Sequence, residues 1–513
     1  MTFNQFFSGA AVVALLGLGT LGTTSCSKDF IDLNDPTRSV STEGYNDSLS
    51  IVTGVTAAYA SLQDIYGKSG VNRGIFVFGE VPTDNSSALI SGERLNEFDN
   101  LTLVSDNPRL QSQWAVTYRA IARCNIILNR AGSIRLTTAT RNRFFAEVRF
   151  IRALAYFNAV RIWGAVPLVT TEIESSSDAY VYGRRPARDV YAQIEEDLVF
   201  AKKWLPTTQT TANLGRATKG AAQGLLGKVM LTQKRYGPAA TELDSVMRDN
   251  RYALQATYAN IFSTTNEMNS EILFAVRYTK GGLGIGSPFT NSFAPVAGAA
   301  INGGVGGAQQ FNTVHVDLVN AFTASGATDV RAAASFGSVV DAQNRTTYYT
   351  KKYFDVPTTD NDAENDWIVL RYADVLLMYA EAINEQSGAT APALEAVNKV
   401  IRRSRNLPVA TANAAVDLPL GTTADALRDR IELERRLELN MEGHRWFDLI
   451  RTERNNVNRA ITVMNAYFTL YSIRVNGAAT GPIVQIDAND LLFPIPVQEI
   501  QTNPILTQNP GYN

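Results

Sequence analysis

The chain has 513 residues, 47 Lys+Arg against 49 Asp+Glu and a formal charge of −2, and it is 45% hydrophobic, 9% aromatic and 19% charged. That composition builds a core and excludes a mainly disordered chain, and with no long block of like charge it also argues against a nucleic-acid surface. Two cysteines, and two histidines 129 positions apart, supply neither a disulfide framework nor a common zinc-hydrolase motif.

Residues 1–25 contain no Lys, Arg, Asp or Glu, and the apolar run from Ala10 to Leu18 is shorter than the roughly 20 residues that span a bilayer. The segment reads as a secretory signal. Thr23, Thr24 and Ser25 precede Cys26 in a pattern that resembles a lipoprotein signal-peptidase site, so residues 1–25 are expected to be removed and Cys26 to become an acylated first residue. An ordinary signal peptide is the alternative. Apolar positions then recur at helical spacing through 45–66, 108–131 and 140–163. Asn107-Pro108 caps the second of these, and Gly164 closes the third.

Residues 219–249 predict a pair of helices split at Gly237-Pro238, with Gly227, Tyr236 and Ala239 at the spacing of a tetratricopeptide hairpin. A second pair is predicted over 367–387 and 392–404, and one hairpin cannot bury its own face, so several should stack. Between the helical halves, 279–310 is rich in Gly, Ala, Ser and Asn and reads as a long irregular loop region. The tail 482–513, with Pro494, Pro496, Pro504 and Pro510, suits extended packing. The body 26–513 thus divides at about 26–240 and 260–513.

Few motifs carry chemistry. Gly67-Lys68-Ser69 lacks the first glycine of a phosphate loop, 282–286 lacks the spacing of a dinucleotide fingerprint, and no nucleophile elbow occurs. No cofactor is implied. Asp360, Asp362, Glu364 and Asp366 alternate like a calcium loop without its turn glycine, and a solvated acidic loop is the simpler reading. The densest charge cluster, 430–454, offers Glu434, Glu438, Glu442 and Asp448 as a conceivable glycosidase pair. Interleaved Leu433, Leu437, Leu439, Met441 and Trp446 favour a structural ion-pair network. The five tryptophans read as core, and Cys124 as a small buried helical residue.

Six segments in order resemble the SusD/RagB family of outer-membrane nutrient-uptake lipoproteins: Cys26-Ser27-Lys28-Asp29-Phe30, then 150–169, 216–236, 369–384, 434–451 and 491–513. The resemblance implies a mostly α fold, in which tetratricopeptide-like hairpins form a scaffold for an irregular, loop-rich ligand-binding portion. It also implies a non-enzymatic lid, lipid-anchored at the cell outer membrane. Such a lid would pass an oligosaccharide or peptide to a SusC-like TonB-dependent transporter. Candidate ligand contacts are Asp84, Asn85, Arg94 and Phe98 after Val81-Pro82, with Phe289, Asn291 and Phe293 from the glycine-rich region. A surface glycoside hydrolase and a protein-binding tetratricopeptide adaptor are the rival readings.

Overall fold

A computed structural model of the chain describes residues 47–67, 74–88, 94–471, 474–475, 478–479 and 484–512. The predicted leader and Cys26 lie outside the described residues, as do Lys68 and Ser69.

Eleven helices of ten or more residues carry the described fold: α1 Ser48–Tyr66, α2 Pro108–Arg130, α3 Thr138–Trp163, α4 Ala187–Trp204, α5 Lys219–Thr232, α6 Tyr236–Arg248, α7 Val316–Ser325, α8 Tyr372–Ser387, α9 Ala391–Ser404, α10 Ala424–Glu438 and α11 Arg459–Tyr471. The starts of α1 to α3 follow from local chemistry. Asp47 and Ser50 form a reciprocal capping box on α1, Asn107 accepts from Arg109 N ahead of Pro108, and Thr137 caps α3. Gly164 ends α3 at φ 71°, where a side chain would be strained.

Successive helices pack as neighbours from α1 through α6, and α6 then packs on α8, which is flanked by α9 and α10. This is the stack of hairpins expected from the periodicity. In the hairpin α5–α6 the break falls at 233–235, where Lys234 takes φ 59°, and Gly237-Pro238 sits in the first turn of α6. Pro needs no amide partner there, so it starts the helix and does not split the pair. Gly227 is required by packing, because a Cβ on it would lie 2.7 Å from Leu243 Cγ.

The predicted helix 367–387 is two elements. Trp367–Arg371 is a buried strand paired antiparallel with Ile272–Val276, and α8 begins only at Tyr372. An apolar run of five residues fits a buried strand as readily as a helix, and the partner strand decides. The charged segment 430–454 likewise breaks after Glu438: Met441 and Gly443 take positive φ, and a short helix resumes over Arg445–Arg451.

A four-stranded antiparallel sheet crowns the loop-rich side. Its strands β1 Ser86–Ser87, β2 Thr313–Val314, β3 Phe336–Val340 and β4 Thr346–Thr350 run in the order β1-β2-β4-β3. The glycine-rich stretch 279–310 contains the short helix Phe289–Phe293 and is pinned by the acidic loop. Asp362 accepts from Gly281 N and Gly282 N at 2.9 Å, Glu364 from Lys280 N at 2.9 Å, and Asp360 from Gly307 N at 3.2 Å. The alternating carboxylates therefore hold backbone amides, and no acidic cluster with metal-ligand geometry exists among the described residues. Residues 484–512 run largely without regular structure, as the prolines suggested, apart from a 3-10 turn at Ala488–Leu491 and a short helix at Val497–Thr502. Residues 47–513 form one compact unit.

Candidate functional site

The family-derived ligand contacts fold mostly inward. Phe289 and Phe293 are 0% and 1% exposed, locked in a cluster with Phe76, Tyr353 and Trp367, where Phe289 lies 4.8 Å from Trp367 and Phe293 4.9 Å from Phe76, centroid to centroid. Phe98, also fully buried, meets Phe78 and Phe493 at 5.2 and 5.7 Å. Rings without an exposed face cannot stack on a ligand in this conformation, so the expectation of loop-face aromatics is corrected to core. Asn291 is buried too. It donates to the carbonyls of Val305 and Gly307 and accepts from Asn361 N, which secures the glycine-rich loop. Arg94 is half-exposed and paired with Glu97 and with Asp106 at 2.7 Å.

Asp84 and Asn85 are buried yet lead to a surface site. Arg445 grips both oxygens of Asp84 at 2.9 Å, and Arg436 donates to Asn85 Oδ1 at 2.8 Å, to the Asp84 carbonyl at 3.0 Å and to Asp317 Oδ2 at 2.6 Å. Burial would raise the Asp84 carboxyl, and the guanidiniums of Arg436 and Arg445 reverse this and hold it far below the usual range. The same loop sets His315, whose amide donates to the Asn85 carbonyl at 2.8 Å.

His315 caps α7 through Nδ1, which accepts from Asp317 N at 3.2 Å. Burial pushes its imidazole down to about 4, so the ring is neutral near pH 7. Tyr467 and Tyr471, one turn apart on α11, meet the ring edge-to-face at 5.0 and 4.7 Å and each other at 5.3 Å. Tyr471 donates to Asp317 Oδ1 at 3.2 Å. All three residues are half-buried. Beside them Asp99 accepts from Ala88 N, and burial pushes its carboxyl up to about 7.

Two aromatic faces, a neutral imidazole and carboxylates clamped by one arginine make a shallow platform that stacks on apolar ring faces and bonds hydroxyls at its rim. The i,i+4 spacing of Tyr467 and Tyr471 was available in the sequence. In the sequence His315 is a lone histidine, and nothing in one dimension joins it to α11.

The charged segment forms a buried network. Glu434, Glu438 and Glu442 are 0–2% exposed. Arg331 bridges Glu434 at 2.7 Å and Glu438 at 3.2 Å; Arg371 joins Glu438, Glu442 and Glu271; Arg403 joins Glu438 and Glu271; and Lys352 bonds Glu442 at 2.7 Å. Burial alone would raise the Glu438 carboxyl, and Arg403, Arg371 and Arg331 instead hold it well below the usual range. Each carboxylate is thus enclosed and matched, the arrangement of an ion-pair scaffold. Nearby, a cleft of about 340 Å³ has Lys234, Glu385, Arg428, Arg435, Asp448 and Arg451 in its wall. Its charges are engaged with one another, as in Lys234–Glu453 at 2.6 Å and Arg435–Asp448 at 2.9 Å. Trp163, Trp367, Trp446 and Trp114 are core as expected, and so is Cys124, whereas Trp204 is half-buried.

Comparison with known proteins adds three findings. The SusD family model matches residues 240–512, and a second model, described as starch-binding and associating with the outer membrane, matches residues 29–231. SusD-like protein P2 of Formosa agariphila is 28% identical over 451 residues, 82% of this chain and 84% of that one. Among solved structures, a SusD homologue from Bacteroides thetaiotaomicron superposes with a TM-score of 0.78 at 24% identity, covering 93% of this chain and 99% of that one. A laminarin-binding SusD-like protein does so with a TM-score of 0.73 at 25% identity, covering 91% and 100%.

Proposed function

Because the chain belongs to the SusD/RagB family, we propose that it captures a glycan at the outer membrane and hands it to a TonB-dependent barrel transporter without performing chemistry on it. The observation that carries this reading is the half-exposed His315–Tyr467–Tyr471 platform with Asp317 and Arg436 at its rim. A pyranose presents an apolar C–H face and a fringe of hydroxyls, and an aromatic face bordered by fixed carboxylate and guanidinium groups complements both. The starch-binding description of the matching family model and the laminarin-binding relative support a glycan over a peptide. In this reading lipid attachment through Cys26 holds the body at the membrane; no helix among the described residues is long and apolar enough to cross one.

The test is calorimetric titration against panels of glucans and other oligosaccharides, with product analysis on the same samples. Tyr471→Ala and Tyr467→Ala should each weaken glycan binding by about 1–3 kcal/mol, with the melting temperature nearly unchanged for Tyr471, the last residue of α11. Unaltered affinity in both variants removes the platform from the reading. Turnover that disappears in a folded Glu434→Gln variant restores the hydrolase.

A further inference from the structure

The stack has two ends, and one of them is basic. Arg216 bridges Thr56 on α1 and Glu147 on α3, and Asn158 bonds Tyr66, so α1 runs parallel to α3 at offsets of 91 and 92 residues. The first residue of α1, Ser48, therefore lies level with the first turn of α3. The antiparallel ladder Val166–Arg185 joins the end of α3 to the start of α4 and so sets the two helices antiparallel, and with Arg149 beside Glu196 this brings Lys203 toward the level of the first turns of α3, near Arg143. At this end the α2–α3 turn, the end of α4 and the start of α5 gather Arg135, Arg141, Arg143, Lys203 and Lys219, and none of the five has a carboxylate partner among the described residues.

The sequence pattern behind this is a stretch without Asp or Glu, 107–146, that holds seven arginines. It is too diluted by apolar residues to read as a block of like charge, and the helix packing is what gathers it. Most acidic groups at this end are engaged. Glu147, Glu172, Glu242 and Asp249 are already paired with Arg216, Arg130, Lys202 and Arg251, and the cap Asp47 and the exposed Glu174 stand beside them. An apolar component accompanies the charge: Leu214 is 48% exposed, and Lys203 Nζ stands 5.5 Å from the ring of half-buried Trp204.

Basic side chains around a half-exposed Trp and an exposed Leu are the composition of surfaces that rest on anionic headgroups. The chain's own anchor makes such a surface reachable. Cys26 lies 21 positions before Asp47, a covalent reach of at most about 70 Å. We propose that this end of the stack docks on the anionic headgroups of the leaflet that holds the anchor, which orients the glycan platform relative to the membrane. The inference rests on the lipoprotein reading, and its test is independent of it.

The test uses residues 47–513, the compact body without leader or anchor, in co-sedimentation with phosphatidylcholine vesicles with and without about one-third phosphatidylglycerol. Binding should require the anionic lipid and fall steeply as salt rises from about 0.05 to 0.5 M. The double variant Arg135→Glu/Arg143→Glu should bind at least about tenfold more weakly. Arg188→Glu, at the opposite end of α4 and 86% exposed, should match the parent. Equal binding to neutral vesicles, indifference to the double variant, or capture of soluble dextran sulfate without capture by vesicles overturns the proposal. Whether the parent chain incorporates labelled palmitate is read separately, so the anchor and the basic face fail independently.

Discussion

Phe289 and Tyr471 show at the scale of one residue why ring type alone does not identify a ligand contact. Both carry a six-membered aromatic ring, yet Phe289 is fully buried among Tyr278, Phe293, Tyr353 and Trp367, whereas Tyr471 is half-buried with its hydroxyl on Asp317. Phe289→Ala should therefore cost about 3–5 kcal/mol of stability through a cavity in the core, read as a fall in the urea midpoint, while glycan affinity in the protein that still folds stays near the parent's. A folded Phe289→Ala protein of unchanged stability contradicts this placement. His444 gives the clearest pH prediction. Burial and then the Lys228 ammonium, 3.1 Å from Nδ1, press its imidazole down to about 3. The folded protein thus refuses a proton that the unfolded chain accepts below about 6.5. The contribution is present above that pH and is lost as pH falls toward 3, with a slope of up to about 1.4 kcal/mol per unit. Urea midpoints at pH 7.5, 6 and 5 should decline less steeply in His444→Gln than in the parent.

At the scale of elements, the α5–α6 hairpin depends on the absence of a side chain. Gly227 lets α5 approach Leu243 of α6 so closely that an added Cβ would meet Cγ at 2.7 Å and Cδ2 at 2.8 Å. Ala has the higher helix propensity by about 1 kcal/mol, and overpacking costs about 1–3 kcal/mol. Gly227→Ala should accordingly lose up to about 2 kcal/mol, and combining it with Leu243→Ala should cost less than the two single changes added together. Strict additivity in that cycle would show that the two residues do not meet. The loop 355–366 works in the opposite way, with carboxylates that supply acceptors to glycines unable to pack by side chains.

For the molecule as a whole, the helical stack presents the platform through the sheet on one side and a basic surface where α1 begins. If Cys26 supplies the attachment, metabolic labelling with palmitate should mark the parent and not Cys26→Ala. Mild-detergent extraction at native expression should then recover a β-barrel protein with the parent. Recovery of the parent as a free monomer counts against the transporter partnership.

Periodicity determined α1, α2 and α3 and the existence of two hairpins, with Asn107-Pro108 opening α2 and Gly164 closing α3, because a 3.6-residue repeat and its terminal residues act within a few residues of one another; the turn of the first hairpin and the strand Trp367–Arg371 ahead of α8 were decided by packing. Alternating Leu and Glu within 430–454 likewise identified an ion-pair scaffold, since so many carboxylates near apolar positions require guanidinium partners. Those partners, Arg331, Arg371 and Arg403, lie far away in the chain, and only the fold assembles them around Glu438. Only the tertiary structure could send Phe98, Phe289 and Phe293 inward and leave His315, Tyr467 and Tyr471 at the surface. Exposure is a property of what packs above a residue, and that neighbour is chosen across hundreds of positions.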